Sequence, residues 1–309
     1  MTEVVLAVDL GGTNVRMAAV DGAGQVLHLV RRATPKGVSP EQLVELFYEM
    51  AEECRGATSM QFAAIGIGVP ANVTSSGMLR HLPNLPTLEG ADLGALLSKR
   101  LGIPVVLEND ATAAAIGEGW LGAAEGLGNW LMITLGTGVG GGVFVNGIPL
   151  RGPDGGAGKL GHICVEPEGH TCGCGSNGCV EQFASATALV RMAGEAGLDV
   201  ANSHELFDKW KANEPQAKAV FDNMAEHLGI ALAGLVNTFN PEMIVIGGGA
   251  SAAWDAFIGP LTKEVKYRAF AEPAERAKIV RTTLNDDAGI LGAAKSAMHS
   301  TQRTGRDEE

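Results

Sequence analysis

The sequence is short of several things, and each shortage removes a class of function. No apolar run reaches the roughly 18 residues that cross a bilayer. Bases are scarce: 23 Lys and Arg stand against 35 Asp and Glu in 309 residues, a formal charge of -12. That sign repels phosphate backbones and anionic lipid. The densest basic cluster, Arg31–Arg32 with Lys36, is three charges on a solvated face. No nucleic-acid partner and no membrane partner is expected. No secretory signal is predicted either, because Met1-Thr2-Glu3 runs straight into Val4–Val8, and the expected location is cytoplasmic. Five cysteines are too few to staple a chain of this length. Prolines number 13 against 43 glycines, so glycine supplies most of the punctuation.

What is present is a globular α/β pattern. Hydrophobic residues make up 46% and charged residues 19% of the chain, which places it with folded proteins rather than disordered ones. Apolar, largely β-branched runs at Val4–Val8, Leu131–Leu135 and Met243–Ile246 each end in a glycine cluster and read as buried strands entering tight turns. Two of them open a longer unit. Residues 4–9, 15–20 and 26–30 read as strand, strand, strand, with Asp21-Gly22 as a hairpin turn. Residues 130–135, 141–145 and 148–150 repeat the pattern, with Asn146-Gly147 as the turn. The repeat predicts an internal duplication and two similar lobes facing each other across a cleft.

Between and after these units the spacing predicts helices over 40–54, 90–101, 112–120, 183–196 and 215–239, and strands over 62–69 and 105–107. The long helix carries Val220, Met224, Leu228, Leu232, Leu235 and Phe239 on one stripe. The polar tail 302–309 is expected to fray.

Two glycine motifs are decoys. Gly136–Gly141 satisfies the dinucleotide fingerprint, but the next residues read as a strand and a turn where that fingerprint needs a helix. Gly158-Lys159 has the ending of a phosphate-binding loop without the upstream glycine or the following Ser/Thr. The turns at Gly11-Gly12-Thr13 and Thr137-Gly138 remain phosphate cradles for another reason. Glycine lets successive N–H groups point at one anion, and threonine adds a hydroxyl. Asp9, at the head of the first turn, is placed to hold a phosphate-bound Mg²⁺ through water.

The strongest local signal is Cys172-Gly-Cys174 with Cys179, and His162 ten residues upstream. Three thiols and an imidazole make a tetrahedral zinc set, structural because it is closed. On spacing alone His170 and Cys164 compete as ligands, while Cys54 lies in a helical stretch as plain core or surface. Glu108-Asn109-Asp110 follows a strand and precedes an Ala-rich helix. Asp110 therefore reads either as that helix's N-cap or as an acid in a ligand crevice.

Taken together, Asp9–Asn14, Glu108–Ala111, Leu135–Gly138, Gly161-His162, Cys172–Glu181 and Gly247–Gly249 occur in one order along the chain and resemble the ROK family (repressor, open reading frame, kinase), most closely its bacterial glucokinase branch. The resemblance implies a two-lobed actin/hexokinase-like (ribonuclease H-like) ATPase fold: a lobe 1–115 onto which a helix near 288–300 packs back, and a lobe 116–287 with the zinc knuckle. It implies transfer of phosphate from ATP, with Mg²⁺, to the C6 hydroxyl of a hexose, glucose above all. By resemblance Asp110 is the catalytic base. Asn109, Asp110, His162 and Glu181 contact sugar hydroxyls. Asp9, Gly11, Gly12, Thr13, Asn14, Thr137 and Gly138 serve the phosphates, and Gly247, Gly248 and Gly249 the adenosine. Zn²⁺ falls to His162, Cys172, Cys174 and Cys179. A homodimer or homotetramer is implied as well.

One position departs from the family. Lys159 stands where a sugar-contacting Glu is usual, a cation with no acceptor in place of a carboxylate. A kinase for N-acetylmannosamine, mannose, fructose or allose, or a non-catalytic sugar-binding regulator, is the alternative reading. A repressor of the family would need a DNA-binding module, and the first strand begins at residue 4.

Overall fold

The computed structural model describes residues 4–304, and of 302–304 the backbone alone. Twelve strands and ten α-helices run in chain order: β1 (Val5–Leu10), β2 (Asn14–Val20), β3 (Val26–Ala33), α1 (Pro40–Thr58), β4 (Ile65–Val69), β5 (Asn72–Val73), β6 (Leu79–Arg80), α2 (Leu93–Leu101), β7 (Val105–Asn109), α3 (Asp110–Leu121), β8 (Trp130–Leu135), β9 (Val139–Val145), β10 (Ile148–Pro149), α4 (Glu181–Ala184), α5 (Ala186–Glu195), α6 (Ser203–Lys211), α7 (Pro215–Phe239), β11 (Met243–Gly247), α8 (Trp254–Arg268), α9 (Ala271–Arg276), β12 (Lys278–Arg281) and α10 (Ala288–Thr304). They pack as two units. The first takes the chain up to Gly126, Pro149–Ala157 and the chain from Asp286 on, and the second takes Leu127–Ile148 and Gly158–Asn285.

The duplication predicted from the repeat is present in the sheets. One has the order β3-β2-β1-β4-β7 and the other β10-β9-β8-β11-β12. In each, the first hairpin is antiparallel and the next two strands add in parallel. The hairpins form because apolar, β-branched residues flank turn residues, though the two turns differ. Asn146 and Gly147 both take positive φ, 52° and 76°, as a type I′ turn requires. The first turn is wider than an Asp-Gly pair. It spans Asp21–Gln25, with the Asp21 side chain accepting the Ala23 and Gln25 N–H groups and Gly24 taking the positive φ.

In the first unit α1 packs on the sheet's β2–β3 side, and α3 and α10 pack on β4 and β7. The last two helices cross closely: a β-carbon on Gly117 would lie 2.2 Å from the Ala288 carbonyl oxygen, and one on Gly292 1.6 Å from that of Ala113. Cys54 is fully buried here, which decides between the core and surface readings, and burial pushes its thiol up to about 11.

In the second unit α7 is the central helix. Its Val220, Met224, Leu228, Leu232 and Leu235 are buried against β8, β11 and α8, and Phe239 is half-buried. By length and composition this helix passes as a membrane span, but 61% of its most apolar stretch is buried inside the protein. It is a core helix.

Several predicted elements need revision, among them the helix expected from 90, which begins at Leu93. The helix expected over 183–196 is two, because the Ser185 hydroxyl accepts the Ala188 N–H and caps α5 where α4 ends. The strand expected from 62 begins at Ile65. The expected fraying segment begins inside α10, which reaches Thr304, and 305–309 lie outside the described residues.

Candidate active site and metal centre

The first unit's candidate residues stand at the C-terminal ends of β1 and β7. Asp9 is the penultimate residue of β1, Gly11–Thr13 turn the chain, and Asn14 opens β2. The Gly11 N–H donates to the Asn14 carbonyl at 2.9 Å, and Thr34 grips the turn from β3's side, its hydroxyl donating to the Gly11 carbonyl and its N–H to that of Thr13. Gly12, Thr13 and Asn14 are left exposed. The hairpin register sets Asp9 directly across from Arg16, whose Nη2 and Nε donate to Asp9 Oδ2 at 2.6 and 3.2 Å. Arg16 also donates to the Asp286 carbonyl. Sequence reading passed over Arg16. The signal was there: a cation inside the apolar run Val15–Val20, one rung from the turn.

At the end of β7 the corner is built by Asn109. Its Oδ1 accepts the Thr112 N–H at 3.2 Å, so Asn109 caps α3 and Asp110 is the helix's first residue. The N-cap alternative for Asp110 is thereby corrected. The shorter reach from the strand's last residue to the first free N–H groups gives that duty to Asn109. Asn109 Nδ2 donates to the Ala71 carbonyl at 3.1 Å and to Asp110 Oδ1 at 3.0 Å, and the Ala111 N–H reaches the same Oδ1 at 2.8 Å. Asp110 is half-buried, its carboxylate held at Oδ1, and it sits at the positive end of α3. Such a group can accept a proton from an alcohol.

In the second unit Thr137 and Gly138 form the turn between β8 and β9. The start of α5 ties this turn down, with the Ala186 N–H donating to the Gly136 carbonyl and the Thr187 hydroxyl to that of Thr137, both at 2.8 Å. Gly247 ends β11, and Gly248 and Gly249 lead into a short 3₁₀ turn.

His162 ends another 3₁₀ turn, Leu160–His162, with half-buried Lys159 just before it. This turn lies hard against β9: a β-carbon on Gly161 would meet the Val139 carbonyl oxygen at 2.1 Å, and one on Gly141 would meet Leu160 at 2.6 Å. Those glycines therefore serve close packing, and β9 begins at Val139, two residues earlier than the pattern predicted.

The metal-ligand candidates come together. One ligand atom each from His162, Cys172, Cys174 and Cys179 lies within 4.8 Å of all the others. Cys172 Sγ stands 3.6 Å from His162 Nδ1, and Cys174 Sγ 3.6 Å from Cys179 Sγ. A zinc tetrahedron with bonds near 2.3 Å has edges of about 3.8 Å, so the set fits that ion. His170 instead faces Arg191, and Cys164 is exposed, paired through backbone with Cys179. Burial pushes the Cys172 thiol up and that of Cys179 up to about 12, whereas the Ser176 backbone N–H holds Cys174 down. Glu181 opens α4 beside this group. Its Oε2 accepts the Val139 N–H at 2.9 Å, and the Cys172 thiol approaches Oε1 at 3.6 Å.

Comparison with known proteins places these residues in a family. The ROK family model matches residues 5–299. The chain is 37% identical over 305 residues to the glucokinase of Thermotoga maritima, covering 94% of this chain and 96% of that one. Among solved structures it is similar to a ROK hexokinase from Thermus thermophilus, with a TM-score of 0.85, 35% identity and coverage of 97% and 99%. It is similar also to a ROK family glucokinase from Streptomyces griseus in complex with glucose and AMPPNP, with a TM-score of 0.82, 32% identity and coverage of 96% and 99%. These likenesses confirm the actin/hexokinase-like fold expected from the sequence. The chain belongs to the ROK family.

Proposed function

We propose that this chain phosphorylates the C6 hydroxyl of a hexose with ATP, that glucose is the sugar, and that Asp110 is the general base. It is an ATP-dependent hexose kinase, as its likeness to curated and solved ROK kinases supports. The observation that carries the rest is the Asp110 carboxylate, held at Oδ1 by Asn109 and the Ala111 N–H at the head of α3.

Phosphoryl transfer leaves a protein little covalent work beyond placing the groups and neutralising charge. In the step we assign, the sugar's O6 attacks the γ-phosphorus and the bond from phosphorus to the β,γ-bridging oxygen breaks. ADP leaves with that electron pair, and Asp110 accepts the hydroxyl proton. The turns at Gly11–Thr13 and Thr137–Gly138 present N–H groups and hydroxyls to phosphate oxygens, Asn14 flanks the first, and Gly247–Gly249 receive the adenosine. Asp9, 30% exposed and already bound to Arg16, would hold Mg²⁺ through water, which supplies neutralisation of the phosphates. His162, Cys172, Cys174 and Cys179 would hold Zn²⁺, which supplies rigidity to the loop carrying His162 and Glu181. Asn109, His162, Glu181 and Lys159 are our candidates for sugar-hydroxyl contacts.

A second reading keeps the chemistry and changes the sugar. Lys159 is half-buried and immediately precedes the His162 turn, a donor-only cation at a position the resemblance gives to a carboxylate. Coupled ADP release with Mg-ATP against glucose, N-acetylmannosamine, mannose, fructose and allose separates the readings. Fastest turnover of glucose supports the first, of another hexose the second. Sugar binding without turnover would contradict both.

A further inference from the structure

Glu108 is a carboxylate in the wrong place for comfort. Its side chain is 8% exposed, on β7, immediately before the Asn109–Asp110 corner. A charge at that depth needs a partner. Arg151 supplies one as a fork: its Nη2 and Nε lie 2.6 and 3.1 Å from Glu108 Oε2, and Nε lies 3.4 Å from Oε1. Arg151 comes from the segment Pro149–Ala157, distant in sequence but packed within the same unit.

A second contact of that segment bears on the same corner. Gly155 takes a φ of 73°, and a β-carbon on it would lie 2.0 Å from the Val73 carbonyl oxygen, so the segment's backbone is seated against β5 with no room to spare. Two residues before Val73, the Ala71 carbonyl accepts the hydrogen bond from Asn109 Nδ2. Both groups that fix the corner, the Glu108 charge behind it and the 71–73 stretch beside it, are thus held by one short segment.

We propose that Arg151 is a positioning residue for the phosphoryl-transfer step. By neutralising Glu108 and locking the end of β7, it fixes how Asn109 presents the Asp110 carboxylate. The inference rests on the reading of Asp110 as base. Arg151 touches neither sugar nor ATP in this account, so its loss acts on kcat and spares KM for Mg-ATP, while KM for the hexose moves only through Asn109. A misplacement of the base by a fraction of an ångström to an ångström costs about 10–100-fold.

The test is steady-state kinetics with melting temperature on Arg151→Met, Arg151→Lys and the double variant Glu108→Gln/Arg151→Met, with Asp110→Asn alongside. Arg151→Met is expected to lose about 10–100-fold in kcat with KM for Mg-ATP within about twofold. Arg151→Lys, a charge without the fork, should fall between it and the parent. The double variant should regain most of kcat, because a neutral amide at 108 no longer needs a cation. Parental kcat in Arg151→Met, or no recovery in the double variant, overturns the proposal, as does a rise in both KM values matching the fall in kcat. If Arg151→Met does not fold, Arg151→Lys and the double variant carry the same comparison. An active Asp110→Asn variant would instead remove the reading of Asp110 as base.

Discussion

Asn109 holds Asp110 from two sides: its Nδ2 donates to Asp110 Oδ1 at 3.0 Å while its Oδ1 caps the helix that Asp110 begins. Capping and orientation can therefore be separated by substitution. Asn109→Ala loses both and should cost about 0.5–2 kcal/mol of stability through the cap alone. Asn109→Asp keeps the capping oxygen, loses the amide donors to Ala71 and Asp110, and sets a second carboxylate against the first. We predict a melting temperature near the parent's and a large drop in kcat for Asn109→Asp. Parental kcat in that variant would show that the amide does not orient Asp110.

Arg16 gives the Asp9 carboxylate its cation and also hydrogen-bonds the Asp286 carbonyl at the start of the segment leading to α10. Arg16→Met leaves Asp9 without its partner in a half-buried setting, at a cost of about 1–3 kcal/mol. Because we assign Asp9 to the phosphate-bound Mg²⁺, KM for Mg-ATP should rise more than KM for the sugar. Thermal denaturation and kinetics at varied Mg-ATP check both parts, and an unchanged KM for Mg-ATP would detach Asp9 from phosphate binding.

The cysteine group predicts one zinc per chain by elemental analysis. In the metal-free chain burial holds the Cys172 and Cys179 thiols high, the latter at about 12, so both carry protons at neutral pH. Zinc must displace them, and binding should release about two protons or more at pH 7 and weaken as pH falls. Calorimetry in buffers of different ionisation enthalpy reads the proton count. Cys174→Ser should lose the metal and much of the activity together. Full activity without zinc would leave the knuckle no part in placing His162 and Glu181.

Much of this was legible before any coordinates. The duplicated hairpins announce themselves because β-branched runs end in turn residues, and the long helix because Pro215 and Pro241 bracket an unbroken apolar stripe. The four-residue strand β12 escaped notice, since Lys278–Arg281 is too short to display a period. At the site, residue type gave the candidates but not their duties. Asp and Asn cap helices equally well, so the sequence Asn109-Asp110 leaves open which one caps, and backbone geometry decides for Asn109. Arg151 lies 43 residues from Glu108, a separation over which no spacing rule operates.

The central claim is that Asp110 takes the proton from the sugar hydroxyl. Coupled ADP release from Mg-ATP and glucose, compared between the parent and Asp110→Asn, tests it most directly. The account predicts glucose-dependent turnover that falls by about 10²–10⁴-fold in the variant. The melting temperature should hold, because Asn109 rather than Asp110 caps α3. Turnover in Asp110→Asn within a few-fold of the parent would contradict it.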